Sequence, residues 1–236
     1  MPSQIGQRLA FQNAANAVRR AGMNPGGAVL SQSYLRLECA MSTSATQYKF
    51  DVLTSENLNG TINTQQKLNL QDAFVVSSLG FFMFTSGSST AVTAVPSAYP
   101  NIGEFGAGTA ANFTAAQAKD ALAFYNGYLQ LTVNQRTLIT AWDLMRHLKV
   151  PFVQQNALVS PTAASVAPTA PFHPTVDAIN GSSDGYYPVE PNIVINGGKK
   201  NDLTITLPVA AASIPTSGRL CLIFRGILAQ NVTSVN

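Results

Sequence analysis

The chain has 236 residues, 46% hydrophobic and only 11% charged, with a formal net charge of +3. That length supports a sizeable core, but the charged share is less than half the usual value, so the composition does not suit a catalytic centre built from clustered titratable groups. No run approaches the ~18 apolar residues of a membrane-spanning helix, and the N-terminus has no apolar stretch of the secretory-signal kind, so synthesis and folding in a cytoplasm are expected.

Residues 4–21 are predicted as a helix. Ile5, Leu9, Phe11, Ala14, Ala17 and Val18 form a loosely apolar side, and Arg8, Arg19 and Arg20 are polar. Ser3 is the expected N-cap, and Gly22 with Pro25-Gly26-Gly27 closes the helix. Residues 1–30 therefore read as a basic helical arm with a Gly/Pro hinge, and 31–236 as the body. Arg8, Arg19, Arg20 and Arg36 all precede the first acidic residue, Glu38. The arm's charge suits either an anionic partner, nucleic acid or lipid headgroups, or a segment whose charge serves only to keep it in water.

The body alternates with period 2. Tyr34–Met41 sets Leu35, Leu37 and Cys39 against Arg36, Glu38 and Ala40, and Gln47–Leu53 repeats the pattern with Tyr48, Phe50 and Val52. Asn59-Gly60 is a turn signal. Ala73–Phe84 is almost continuously apolar, which implies cover on both faces or a bend at Gly80. Residues 86–120 form a long excursion containing a helix expected at Thr114–Tyr125. Gly127–Val133 returns to alternation, and Thr137–Lys149 is predicted as a helix stopped by Pro151, with Trp142 on its apolar face.

Residues 152–190 make a second, proline-rich excursion, expected to lie over the body or over a neighbouring subunit. Asn192–Asn196 and Asp202–Leu207, joined by Gly197–Asn201, are predicted as a hairpin, and Arg219–Ala229 as a last strand with a bulge at Gly226. Many strands with turn signals and no βα alternation indicate an all-β antiparallel sandwich or barrel, best matched by a jelly roll with a few short helices. One elaborated roll is favoured over a compact double jelly roll.

No chemical constellation emerges. His147 stands four residues after Asp143 on the predicted helix, a spacing that suits a surface hydrogen bond better than base catalysis. His173 is a loop residue, and Asp177, Asp184 and Glu190 lack calcium-loop spacing. Cys39 and Cys221 read as buried free thiols. Asn196–Lys200 reads as a solvated turn, and the glycines at 103–108 lack phosphate-loop context. No catalytic, cofactor-binding or metal residue is assigned, no cofactor is implied, and the chain is not read as an enzyme. The strands show no interleaved basic and aromatic residues, so Arg8, Arg19 and Arg20 remain the candidates for membrane or nucleic-acid contact.

The segments YKFDVL, DAFVVSSLGFFMF, YLQLTVNQRTLITAWDL and NIVINGGKKNDLTITLP, together with the basic arm and the Ala/Ser/Thr/Pro loops, resemble the jelly-roll capsid proteins of tailless icosahedral bacteriophages. The resemblance implies a virion structural protein, most of all a major capsid subunit whose partners are copies of itself in trimers or pentamers and other virion proteins. It also implies that an internal membrane or the genome lies against the arm. The alternative function is a minor capsid, spike or carbohydrate-binding β-sandwich module.

Overall fold

The computed structural model describes residues 4–60, 62–84, 120, 122–148, 185–214 and 218–234. Among the described residues, α-helix is found in α1 (Gln4–Arg20) and at Asp120, Leu122 and Ala123, where the described end of the segment expected as a helix at Thr114–Tyr125 runs into a 3-10 turn at Phe124–Asn126. The strands are β1 (Met23–Asn24), β2 (Val29–Ala40), β3 (Gln47–Phe50), β4 (Ala73–Phe84), β5 (Tyr128–Val133), β6 (Arg136–Asp143), β7 (Tyr186–Asn196), β8 (Asn201–Thr206), β9 (Arg219–Gln230) and β10 (Thr233–Ser234). Two four-stranded antiparallel sheets, ordered β2-β9-β4-β7 and β3-β8-β5-β6, pack as a sandwich. From β2 to β9 the chain changes sheet at every connection except β5–β6, which is the connectivity of a single jelly roll.

The core lies between the sheets, where Leu37, Phe74, Phe81 and Phe224 of the first meet Phe50, Leu129, Leu131 and Ile205 of the second. Burying each such side chain contributes roughly 1.5–3 kcal/mol. Period-2 alternation puts these residues inward, but β4 needs a further device because it is apolar on both faces. Val76 pairs with Gly226 while Ser78 pairs with Arg225, so Ser77 is an extra residue that reverses the alternation. Before it Phe74 and Val76 face the core; after it Leu79, Phe81 and Met83 do. The bend thus falls at Ser77 and not at Gly80. The bulge expected at Gly226 belongs to β4, with Gly226 opposite, where an added Cβ would lie 1.9 Å from the Val75 carbonyl oxygen.

The helix predicted at Thr137–Lys149 is strand β6 followed by a 3-10 turn at Leu144–His147. Asn134 and Gln135 both have positive φ, 49° and 66°, and Val133 pairs with Arg136 across them, the mark of a tight two-residue hairpin turn. Once that turn forms, Thr137, Ile139, Thr140 and Trp142 follow their strand preference. Asp143 caps the 3-10 turn by accepting from the Met145 N–H at 2.9 Å.

The segments predicted as a hairpin at 192–207 are both strands, but they lie in opposite sheets. The turn between them is a solvated crossover, held by Asn201 Nδ2 donating to the carbonyls of Asn196 and Lys199, each at 2.9 Å. β7 starts at Tyr186, inside the span read as the second excursion.

α1 lies on the outer face of the β2-β9-β4-β7 sheet. Ala14, Ala17 and Val18 pack on Ala73, Val75, Ile227 and Ala229, with Phe11 at the margin. The small helix residues let the helix sit close to the sheet. The two-stranded ribbon β1–β10 pairs Met23 with Ser234 and Asn24 with Thr233, which holds the helix's exit beside the end of the described chain. Ser3, residues 85–119, and residues 149–184 with Pro151, His173, Asp177 and Asp184 lie outside the described residues.

Candidate functional site

His147 is fully buried and makes no pair with Asp143, whose carboxylate caps the 3-10 turn. Trp142 Nε1 donates to His147 Nε2 at 2.8 Å, and His147 Nδ1 lies 3.0 Å from the Gly185 carbonyl oxygen. Tyr187 meets the imidazole edge-on and Trp142 stacks on it. The arrangement joins the end of β6 to the start of β7 and gives the imidazole no open face. Trp142, half-buried, packs at the margin of the core with the Arg146 guanidinium 5.1 Å from its ring centre.

Two buried carboxylates also have structural partners. Glu38 accepts from Arg36 Nε at 2.8 Å and Thr64 Oγ1 at 2.7 Å, and its other oxygen pairs with Arg219 at 3.0 Å. Asp51 accepts from the N–H groups of Leu58 and Asn59, each at 3.1 Å, and pairs with Lys67. Together these groups shape the 51–68 loop and bring Gln66 alongside Arg36 of β2. Cys39 and Cys221 are free and buried. Cys39 faces the core and Cys221 packs under Phe82 on the opposite face, so the two are not placed to bond. Burial, reinforced by the Asp51 charge, pushes the Cys39 thiol up to about 12.

The surfaces are where this roll is open. Arg8, Arg19 and Arg20 are exposed on α1, and Arg19 Nη1 donates to Asn16 Oδ1 at 3.2 Å. Arg19, Arg20, Asn13 and Asn16 face Glu190–Asn192 of β7 across a depression of ≈720 Å³. Arg8 does not line it. On the far side, the outer face of the β3-β8-β5-β6 sheet carries few charges. Rows Gln47–Thr206–Tyr128 and Lys49–Thr204–Gln130 cross it, and the pair Lys49–Asp202 at 3.2 Å lies on it.

The four sheet edges differ in kind. β7 carries Pro188, Glu190 and Pro191, and β3 is four residues long with Lys49 in it; such features block strand addition. β2 over residues 29–35 and β6 over residues 137–142 contain no charge and no proline, and among the described residues neither has a strand partner on its outer side. At Arg36 the β2 edge is closed, by the bonds exchanged with Gln66. The missed signal was Asn134-Gln135: without it β6 read as a helix and its edge was not visible.

No family model matches the chain, and neither a curated protein nor a solved structure matches it.

Proposed function

We propose that the chain is a non-enzymatic virion structural protein, the major capsid subunit of an icosahedral bacteriophage shell, which acts by packing against copies of itself. The observation that supports this reading is the pair of edges, β2 at 29–35 and β6 at 137–142, that have no outer strand partner among the described residues, on a roll whose other two edges are blocked. An open, uncharged edge leaves a row of backbone donors and acceptors ready for another chain. A polar outer sheet with few charges lets subunits approach with little electrostatic cost. Repeated interfaces of a standard ~1,600 Å² around each subunit would sum to a stable lattice, with trimers or pentamers as the building blocks and other virion proteins as neighbours.

The test places a charge on each edge. Val29 is 60% exposed and Thr140 is exposed, so Val29→Lys and Thr140→Lys leave the core untouched. Light scattering after gel filtration and negative-stain imaging should show capsomers or shells for the wild type. Each variant should give a folded, smaller species. A wild type that stays monomeric at high concentration overturns the reading. Discrete hits on a glycan array from that monomer would transfer the protein to the carbohydrate-binding or spike class.

A further inference from the structure

A second groove, ≈810 Å³, runs between the outer face of the β2-β9-β4-β7 sheet and α1 at Ala10 and Asn13. Its floor is built by strand register. Tyr34 stands beside Arg225, which stands beside Ser78; in the next row Arg36 stands beside Ile223, Gly80 and Tyr186. Gly80 has no side chain, and that is what admits the Tyr186 ring: an added Cβ would sit 2.9 Å from Tyr186 Cε1. The Arg225 guanidinium lies 3.6 Å from the centre of that ring. Tyr34 is 51% exposed, and Arg36 is held in place by its bond to Glu38.

Asn13 and Asn192 line both this groove and the depression beside Arg19 and Arg20. The two therefore join as one track, with arginines at each end and aromatic rings at one of them. Among the described residues Glu190 is the one exposed acid lining it, and Glu38 beside it is fully buried. The strands thus do interleave basic and aromatic residues, contrary to the expectation from sequence, because β2, β7 and β9 are brought side by side.

We propose that this track binds single-stranded nucleic acid. Phosphates are drawn by Arg19, Arg20 and Arg225, and bases stack on Tyr34 and on the Arg225–Tyr186 pair. A track running alongside a helix admits a thread; a bilayer surface is too flat to enter it, and a duplex keeps its bases turned inward. The proposal extends the coat-subunit reading and rests on it only in taking the genome as the source of the strand.

The test is fluorescence anisotropy of labelled oligothymidylate and oligouridylate with the full chain at low and moderate salt. Wild type should bind both, more weakly as salt rises. Tyr34→Ala and Arg225→Gln should each weaken binding roughly ten-fold. Arg225→Gln should also lower the salt slope by about one, and Lys200→Gln, at the exposed β7–β8 turn, should change nothing. If Arg225→Gln melts early, Tyr34→Ala carries the test, because its side chain is half outside. No binding at low salt, or wild-type affinity in Tyr34→Ala, overturns the proposal. So does co-sedimentation with phosphatidylserine vesicles without oligonucleotide binding. Shells that form yet ignore oligonucleotide remove this proposal alone; oligonucleotide binding without any assembly keeps it and removes the coat reading.

Discussion

Trp142 Nε1 donates a 2.8 Å hydrogen bond to Nε2 of the buried His147. An indole can only donate, so Nε2 accepts, and Nδ1 carries the proton that reaches the Gly185 carbonyl at 3.0 Å. One neutral imidazole thereby ties the end of one sheet's edge strand to the start of the other's. Replacing it with Ala leaves a cavity and two polar groups without partners, so His147→Ala should lower the unfolding free energy by about 2–4 kcal/mol. Urea denaturation followed by the fluorescence of the single tryptophan measures this directly. An unchanged midpoint would show that the bridge adds nothing.

Glu38 is the charged centre of the outer sheet face, with no exposed surface, set between Arg36 and an Arg219 side chain that is 5% exposed. Glu38→Leu takes the Glu38 charge away from the buried Arg219 guanidinium and should cost about 3–5 kcal/mol. The double change Glu38→Leu with Arg219→Met should recover most of that loss, because it removes both buried charges together. A double-mutant cycle reads the coupling; additive losses would count against the ion pair.

Close backbone approach makes Gly226 irreplaceable. Its Cβ would lie 1.9 Å from the Val75 oxygen, inside the β4–β9 ladder, whereas the nearest neighbour at Gly198 is 3.4 Å away. Gly226→Ala should lower stability by about 3 kcal/mol or more and reduce the soluble yield, while Gly198→Ala should melt like the wild type. Equal melting temperatures for the two variants would contradict the bulge geometry.

Burial raises the Cys39 thiol from its ordinary 9.0 to about 12 and raises Cys221 as well. Both thiols therefore stay protonated in the folded chain at mildly alkaline pH. The unfolded chain ionises first, so their contribution to stability is complete below about pH 9 and is lost as pH rises toward 12. Native protein should resist a thiol reagent at pH 8 and react at both cysteines in urea. Rapid labelling of the native state would refute the burial.

Much of the strand set was legible in the alternation itself. Leu35, Leu37 and Cys39 recur every second residue, as do Leu220, Leu222 and Phe224, and both sets do face the core. α1 and its exposed arginines were legible too. The groove was half legible: Tyr34 and Arg36 lie on the face opposite Leu35 and Leu37, and Ile223 and Arg225 on the face opposite Leu222 and Phe224. That these four residues are neighbours was not, since alternation assigns a side chain to a face but says nothing about which strand lies alongside.

The sequence alone determined the all-β class, the basic helix, the buried thiols and the scarcity of charge, because each depends on local spacing or composition. Only the tertiary structure decided that residues 136–143 are a strand, that 192–207 crosses between sheets, and that Tyr34, Arg225 and Tyr186 share one surface. Those outcomes depend on pairings between residues far apart in the chain. Their energy comes from backbone hydrogen bonds and burial that exist only once both strands are in place, so no local pattern records them in advance.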